Sequence, residues 1–230
     1  MGNEGLEQAE LTSVASCTVG EGDARNNPYL SRWARYYDFL LSVPPVGQIR
    51  QSEERTLARL VEASLRPGDH LLEIGPGTGR TTVEFAERVA RVTAVEQSPE
   101  MVAQLHQRLA REEVDNCEVI LGDFAAATFP GTFDVVALIG VLDYIPHPEP
   151  FLLAAARLAR RELIFTAPHH GMLAHIFRAS NRMRGVHISV YRPDQLRGYL
   201  EEFEVEIEET GLRTRLWRGM TLACRAVRCC

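Results

Sequence analysis

The 230-residue sequence contains no lysine, and all 25 of its basic residues are arginine. That absence excludes Schiff-base chemistry and any lysine general base. Cysteine is sparse: five residues, at positions 17, 117, 224, 229 and 230. None forms a CxxC pair and the number is odd, so neither a disulfide framework nor a metal site is expected. No apolar run reaches the roughly 18 residues that a membrane span needs. The first residues lack a basic region followed by an apolar run, as a secretory signal would show. Gly2 follows Met1, but Leu6 stands where a myristoylation signal wants Ser or Thr. A cytoplasmic location without a membrane span is therefore expected. The net charge of −6 gives no global pull toward nucleic acid or anionic membrane. On that ground no nucleic-acid partner is expected.

What the chain does have is a globular balance. Hydrophobic residues make up 45% and charged residues 24%, enough for one sizeable core. Residues 1–25 are rich in Gly, Glu and Ser and read as a disordered tail. Residues 26–230 read as a single domain. Its helical cap (26–66) holds an aromatic segment, Tyr29 to Leu41, and a helix from about Ser52 to Leu65, where Leu57, Leu60, Val61 and Leu65 recur at helical spacing.

Strand and helix signals then alternate. Strands are expected at His70–Ile74, Arg91–Val95, Glu118–Leu121, Phe133–Ile139 and Glu162–Ala167, and helices at about Arg80–Val89, from Ser98-Pro99, and at Glu149–Arg160. Such alternation predicts a doubly wound α/β fold, its mostly parallel sheet covered by helices on both faces. Phe203, Val205 and Ile207 alternate with Glu204, Glu206 and Glu208, the pattern of a half-buried edge strand. Met220–Val227 reads as its antiparallel partner. Residues 169–192 form a lid-like insertion rich in arginine.

The most informative stretch is Glu73-Ile74-Gly75-Pro76-Gly77-Thr78-Gly79-Arg80. A strand ends in a glycine-rich turn that opens a helix, which lets a ligand approach the backbone. Gly75, Gly77 and Gly79 are spaced G-x-G-x-G, unlike the G-x-G-x-x-G of dinucleotide binders. Glu73 would repel a pyrophosphate but suits a cationic ligand. Glu96, followed by Gln97, ends the second strand and can accept from both ribose hydroxyls. Asp123 ends the third and can accept from an adenine amino group, with Phe124 beside it. A nicotinamide dehydrogenase is the rival reading, since Glu96 follows Gly75 at a compatible distance. The glycine spacing, Glu73 and the missing lysine stand against it.

These residues together resemble the class I S-adenosylmethionine-dependent methyltransferases. Glu73 through Gly79 is similar to their first motif, Glu96 to the acid of the second, Asp123 to that of the third, and Phe133-Asp134-Val135-Val136 through Leu142 to the fourth. The resemblance implies a seven-stranded sheet whose last strand inserts antiparallel. It implies S-adenosylmethionine as cofactor, with S-adenosylhomocysteine as product. The glycines would shape the methionine site, Glu96 would hold the ribose, Asp123 and Phe124 the adenine, and the backbone of Ile139 and Gly140 would face the sulfonium. Tyr37, in the cap, would touch the cofactor. A short stretch, Leu163 through Ser180, is similar to magnesium-protoporphyrin methyltransferases.

Methyl transfer is an in-line displacement at an activated carbon, so alignment matters more than any one catalyst. A base is needed only where the acceptor must lose a proton. His169 and His170 follow the fifth strand and are the candidate bases. Asp143 and Tyr144 follow the fourth and face the same crevice. Gly140-Val141-Leu142-Asp143-Tyr144 lacks the Glu-x-x-Glu-His metal set of ubiquinone-type O-methyltransferases. It also lacks the Asn/Asp-Pro-Pro-aromatic signature of adenine and amide N-methyltransferases. The acidic chain and the insertion suggest an O or N atom of a small-molecule acceptor. The alternatives are a protein or RNA acceptor, or a cofactor-binding protein without transfer activity.

Overall fold

The computed structural model describes residues 46–145, 147–169, 189–210 and 221–229. The tail (1–25), the aromatic segment with Tyr37, His170 and most of the 169–192 insertion lie outside them. The described elements are α1 (Val46–Ser64), β1 (His70–Ile74), α2 (Arg80–Ala86), β2 (Arg91–Glu96), α3 (Pro99–Arg111), β3 (Cys117–Leu121), β4 (Phe133–Leu138), α4 (Pro148–Leu158), β5 (Ala159–Pro168), α5 (Pro193–Tyr199), β6 (Phe203–Thr210) and β7 (Thr221–Arg228). A single 3-10 turn, Leu142–Tyr144, follows β4.

One seven-stranded sheet has the order β3-β2-β1-β4-β5-β7-β6. The strands from β3 to β5 run parallel, and β7 inserts antiparallel between β5 and β6. This is the doubly wound architecture expected from the sequence. Strand parity divides the core between the two faces. Leu72, Ile74, Val136, Leu138, Leu163 and Phe165 pack on one side with Phe151 and Leu152 of α4 and Leu196 of α5. Leu71, Val135, Ala137 and Ile164 pack on the other with Val61, Phe85 and Leu105 from α1, α2 and α3. Successive side chains of a strand point to opposite faces, so a run apolar throughout needs cover on both.

Local signals set several boundaries. Ser98 caps α3: its hydroxyl accepts from the Met101 N–H at 3.3 Å, and Pro99 occupies the first turn. The helix expected to run to Arg160 stops at Leu158 because Ala159 already pairs with Phe133 as the start of β5. Strand pairing overrides helix propensity there. On β6 the glutamates 204, 206 and 208 are exposed at the sheet edge as expected.

The order of strands reverses between β1 and β4. The chain passes from β1 outward to β2 and β3, then returns to the opposite side of β1. Loops leaving the carboxyl ends of β1 and β4 therefore diverge and open a crevice, where ligands bind in sheets of this type.

The opposite end of the sheet is held by charge. The Arg161 guanidinium donates to both Asp69 oxygens at 2.9 and 2.8 Å and to the Ser64 carbonyl at 2.6 Å. Arg225 forks onto Glu162 at 2.8 and 3.0 Å. Together these bonds join the end of α1 to β1, β5 and β7. Burial by itself would raise the Asp69 and Glu162 carboxyls, yet their arginine partners hold both below the ordinary range. Arg161→Ala would strand Asp69 as a buried carboxylate and should cost about 3 kcal/mol of stability at neutral pH. Lowered native pKa values mean the stabilisation is present above the unfolded-state values and is lost as pH falls through the native ones. Thermal melts of both proteins across acid pH should therefore converge. A deficit independent of pH would show that packing, not charge, was lost.

Candidate active site

Gly75, Gly77 and Gly79 all have positive φ (70°, 57° and 81°), a region that side chains rarely enter. They differ in what surrounds them. A Cβ at Gly75 would lie 2.8 Å from the Val141 Cγ2, and one at Gly79 would run into Leu105, whereas Gly77 opens onto empty space. Gly140, beyond β4, also has positive φ (72°) and open space at its Cβ position. Two glycines thus let the loop pack on its own protein, and two border the crevice. The Gly75 N–H donates to the Val95 carbonyl at 2.8 Å, and Arg108 of α3 donates to the Thr78 carbonyl at 2.8 Å. Both bonds hold the loop against β2 and α3.

Glu96 is buried at the tip of β2. Its Oε2 accepts from the Gly77 N–H at 3.1 Å and its Oε1 from the Ser98 N–H at 2.9 Å. Each oxygen keeps a lone pair, and the carboxylate is fixed where a vicinal diol can meet it. Glu73 is 1% exposed. Thr81 donates to its Oε1, while its Oε2 is buried without a hydrogen-bond partner. Burial pushes the Glu73 carboxyl up to about 7, the Thr81 and Thr82 hydroxyls oppose the shift, and nearby Glu96 adds to it. Thr82 stands close by but outside hydrogen-bonding geometry. An unsatisfied carboxylate oxygen under a glycine loop is where an ammonium or sulfonium would be stabilised. The residues present therefore fit the sulfonium nucleoside implied by the sequence motifs.

The other sequence candidates are placed as follows. Gln97 is exposed beyond β2. Asp123 is exposed after β3 and its Oδ1 accepts from the Ala125 N–H at 3.0 Å, which closes a local turn. Phe124 is a core residue, its ring edge-on to Phe151 at 5.1 Å, so it does not lie open beside Asp123 as expected. Ile139 is half-buried. The Gly140 N–H donates to the Thr166 hydroxyl of β5 at 2.8 Å.

On the β4–β5 side, Asp143 is half-buried and Tyr144 is 37% exposed. His169 is buried, bridged to Tyr191, with Nε2 3.9 Å from Glu209 of β6. The residue is 5% exposed, at the level where the described parts of β6 and β7 also end. His170 and Tyr37 lie outside the described residues. Sequence reading missed Thr81, Thr166, Ser189 and Tyr191. Thr81 alone carried a signal, standing in the first turn of the helix that the glycine loop opens. Among the described residues, no group of three or more His, Cys, Asp or Glu side chains could hold a metal ion. No described helix is long and apolar enough to cross a membrane.

Comparison with known proteins bears on this geometry. Residues 71–162 match the methyltransferase-domain family. A probable ribosomal RNA small subunit methyltransferase A from Methanothermobacter thermautotrophicus is 42% identical over 93 residues, 40% of this chain and 33% of the relative. A probable dimethyladenosine transferase from Dictyostelium discoideum is 35% identical over 126 residues, 54% of this chain and 39% of the relative. The chain thus spans about a third to two fifths of the length of these curated relatives. In fold, magnesium protoporphyrin IX methyltransferase from Synechocystis PCC 6803, solved with bound S-adenosylhomocysteine, superposes with a TM-score of 0.68 at 20% identity, over 89% of this chain and 95% of that one. Similarity to a relative named as a probable ribosomal RNA methyltransferase overturns the expectation of no nucleic-acid partner. That expectation rested on a whole-chain charge, which is blind to where charges sit.

Two outcomes follow. Glu96→Ala should weaken S-adenosylhomocysteine binding by about 1–3 kcal/mol through loss of charged hydrogen bonds, measured by calorimetry; unchanged affinity would remove Glu96 from the site. Glu73 has a raised native pKa, so its contribution to the stability of the ligand-free protein is full in acid and lost as pH rises through about 7. Glu73→Gln, fixed in the uncharged state, should melt higher than the parent at pH values above 7 and alike in acid. Equal melting at every pH would mean that the Glu73 carboxylate is already compensated.

Proposed function

We infer, for a chain that belongs to the class I S-adenosylmethionine-dependent methyltransferases, that the methyl group is delivered to a nucleobase nitrogen of RNA. The observation that supports this reading is the 42% identity over 93 residues to a relative named as a probable ribosomal RNA methyltransferase, with 35% over 126 residues to a probable dimethyladenosine transferase. S-adenosylmethionine supplies a methyl carbon activated by positive sulfur. Glu73, Glu96 and the glycine loop bind and orient that cofactor on the β1–β2 side of the crevice. Acceptor contacts fall to the β4–β5 side.

Three local features support a base as acceptor. Tyr144 presents an exposed ring at the mouth of the crevice, and aromatic side chains stack unpaired bases. Asp143 stands beside it and can accept hydrogen bonds, and in the end a proton, from an exocyclic amino group. Arg80, at the start of α2, and Arg192, next to the β5 tip, are exposed at this end of the sheet, where phosphates would pass. The turn keeps the aromatic residue of the adenine N-methyltransferase signature and replaces its Asn/Asp-Pro-Pro with Val141-Leu142-Asp143. Val141 thus stands at the amide position and Asp143 at a proline position, next to the aromatic ring that keeps the stacking surface.

The test is transfer of a tritiated methyl group from S-adenosylmethionine into separated RNA, protein and metabolite pools, with nucleoside analysis of any labelled RNA. Label in a methylated nucleoside supports the reading, and label confined to protein or metabolites overturns it. Tyr144→Ala should lower RNA methylation by about 10–100-fold, the worth of one base stack, with S-adenosylhomocysteine affinity unchanged by calorimetry.

A further inference from the structure

We propose that Tyr191, assisted by Ser189, is a positioning residue for methyl transfer: its buried hydroxyl fixes the turn that carries Asp143 and Tyr144 and thereby sets where the acceptor meets the cofactor. The proposal rests on the acceptor role given above to that turn.

The turn holds itself poorly. It is one 3-10 turn of three residues, and its own bonds are long: Tyr144 N–H to the Val141 carbonyl at 3.2 Å and Ile145 N–H to the Leu142 carbonyl at 3.4 Å. Short 3-10 segments have strained hydrogen-bond geometry and need outside partners. Those partners come from one place. The Tyr191 hydroxyl lies 3.1 Å from the Leu142 carbonyl and 3.0 Å from the Ile145 carbonyl, so its single proton is shared between them. Ser189 donates its hydroxyl to the Ile145 carbonyl at 2.8 Å and its N–H to the Asp143 carbonyl at 2.9 Å. The carbonyls of Leu142, Asp143 and Ile145 are thus all engaged from residues 189–191.

That segment is itself anchored. The Tyr191 N–H donates to the Pro168 carbonyl at 2.8 Å at the tip of β5, and its ring is 3% exposed within the main core cluster. The hydroxyl is therefore a fixed point relative to the sheet. Burial pushes the phenol up to about 12, with Asp143 adding to the rise and Ser189 opposing it, so the group stays a donor throughout the neutral range. Its partners are Leu142, Ile145 and Pro168, whereas the cofactor contacts assigned above belong to Glu73, Gly77 and Glu96 across β1. Loss of the hydroxyl should release the acceptor side and spare the cofactor side. Because a displacement of the reacting groups by about 1 Å can lower turnover about a hundredfold, a loosened turn is costly.

Tyr191→Phe keeps the ring and removes the hydroxyl. The expected result is a tenfold or greater fall in kcat, on the order that misalignment produces, with S-adenosylhomocysteine affinity within about twofold of the parent. Amide hydrogen exchange at Tyr144 and Ile145 should quicken while that at Gly77 and Ser98 stays as it was. Added to Tyr144→Ala, the substitution should cost little more, since both act through one turn. Ser189→Ala should give the same pattern more weakly and Ser189→Thr should restore it, which keeps the idea testable where Tyr191→Phe folds badly. The exchange measurement needs no acceptor, so it reads the clamp even where RNA proves not to be the substrate. Unchanged exchange at the turn, unchanged turnover, a parallel loss of cofactor affinity, or full additivity with Tyr144→Ala would each overturn the proposal.

Discussion

The Glu96 carboxylate bridges two backbone N–H groups, of Gly77 in the loop after β1 and of Ser98 at the cap of α3. Through it the tip of β2, the glycine loop and the start of α3 become one rigid unit. The three positive-φ glycines bring no side chains of their own, so the loop is held through its backbone groups, by Val95, Arg108 and Glu96, and the charged acceptor makes the Glu96 bond the strong one. A carboxylate buried to organise the loop is also held rigidly where the proposed ribose contact would be made.

Glu73 is the counterpart across the loop. Its unpartnered buried oxygen is costly in the ligand-free protein and is relieved by a cation. Storing that cost at the site, while Asp69–Arg161 and Glu162–Arg225 secure the far end of the sheet, separates stability from function along the strand axis. One end of β1 is fully paired and the other is left with an unmet demand. This arrangement favours a cationic cofactor over a dinucleotide, whose pyrophosphate would add a second negative charge next to the first.

The crevice is divided by the β1/β4 reversal. Glu73, Gly77 and Glu96, the proposed cofactor contacts, lie at the tips of β1 and β2 and in the loop between, and the turn after β4 is held by Tyr191 and Ser189. The two halves meet at Gly75 and Val141, whose contact distance leaves no room for a Cβ. The matches to the named relatives cover 40% and 54% of the chain, while the fold match extends over 89% of it.

Much of this was legible in the order of residues. Alternating apolar runs fixed the strands, because burial on both faces demands continuous hydrophobicity, and the G-x-G-x-G loop with Glu73 and Glu96 marked a cationic nucleoside site by spacing and charge. Local chemistry of that kind needs no knowledge of the fold. What the sequence could not carry were contacts between residues far apart in it. Phe124 stands beside Asp123 in the chain, but its ring turns into the core against Phe151. His169 follows the crevice strand but is buried, bridged to Tyr191 and close to Glu209. Tyr191 is distant from Leu142 in sequence and bonded to it in space. Only packing decides which way a side chain faces at a strand tip, since both directions are equally open to the isolated chain.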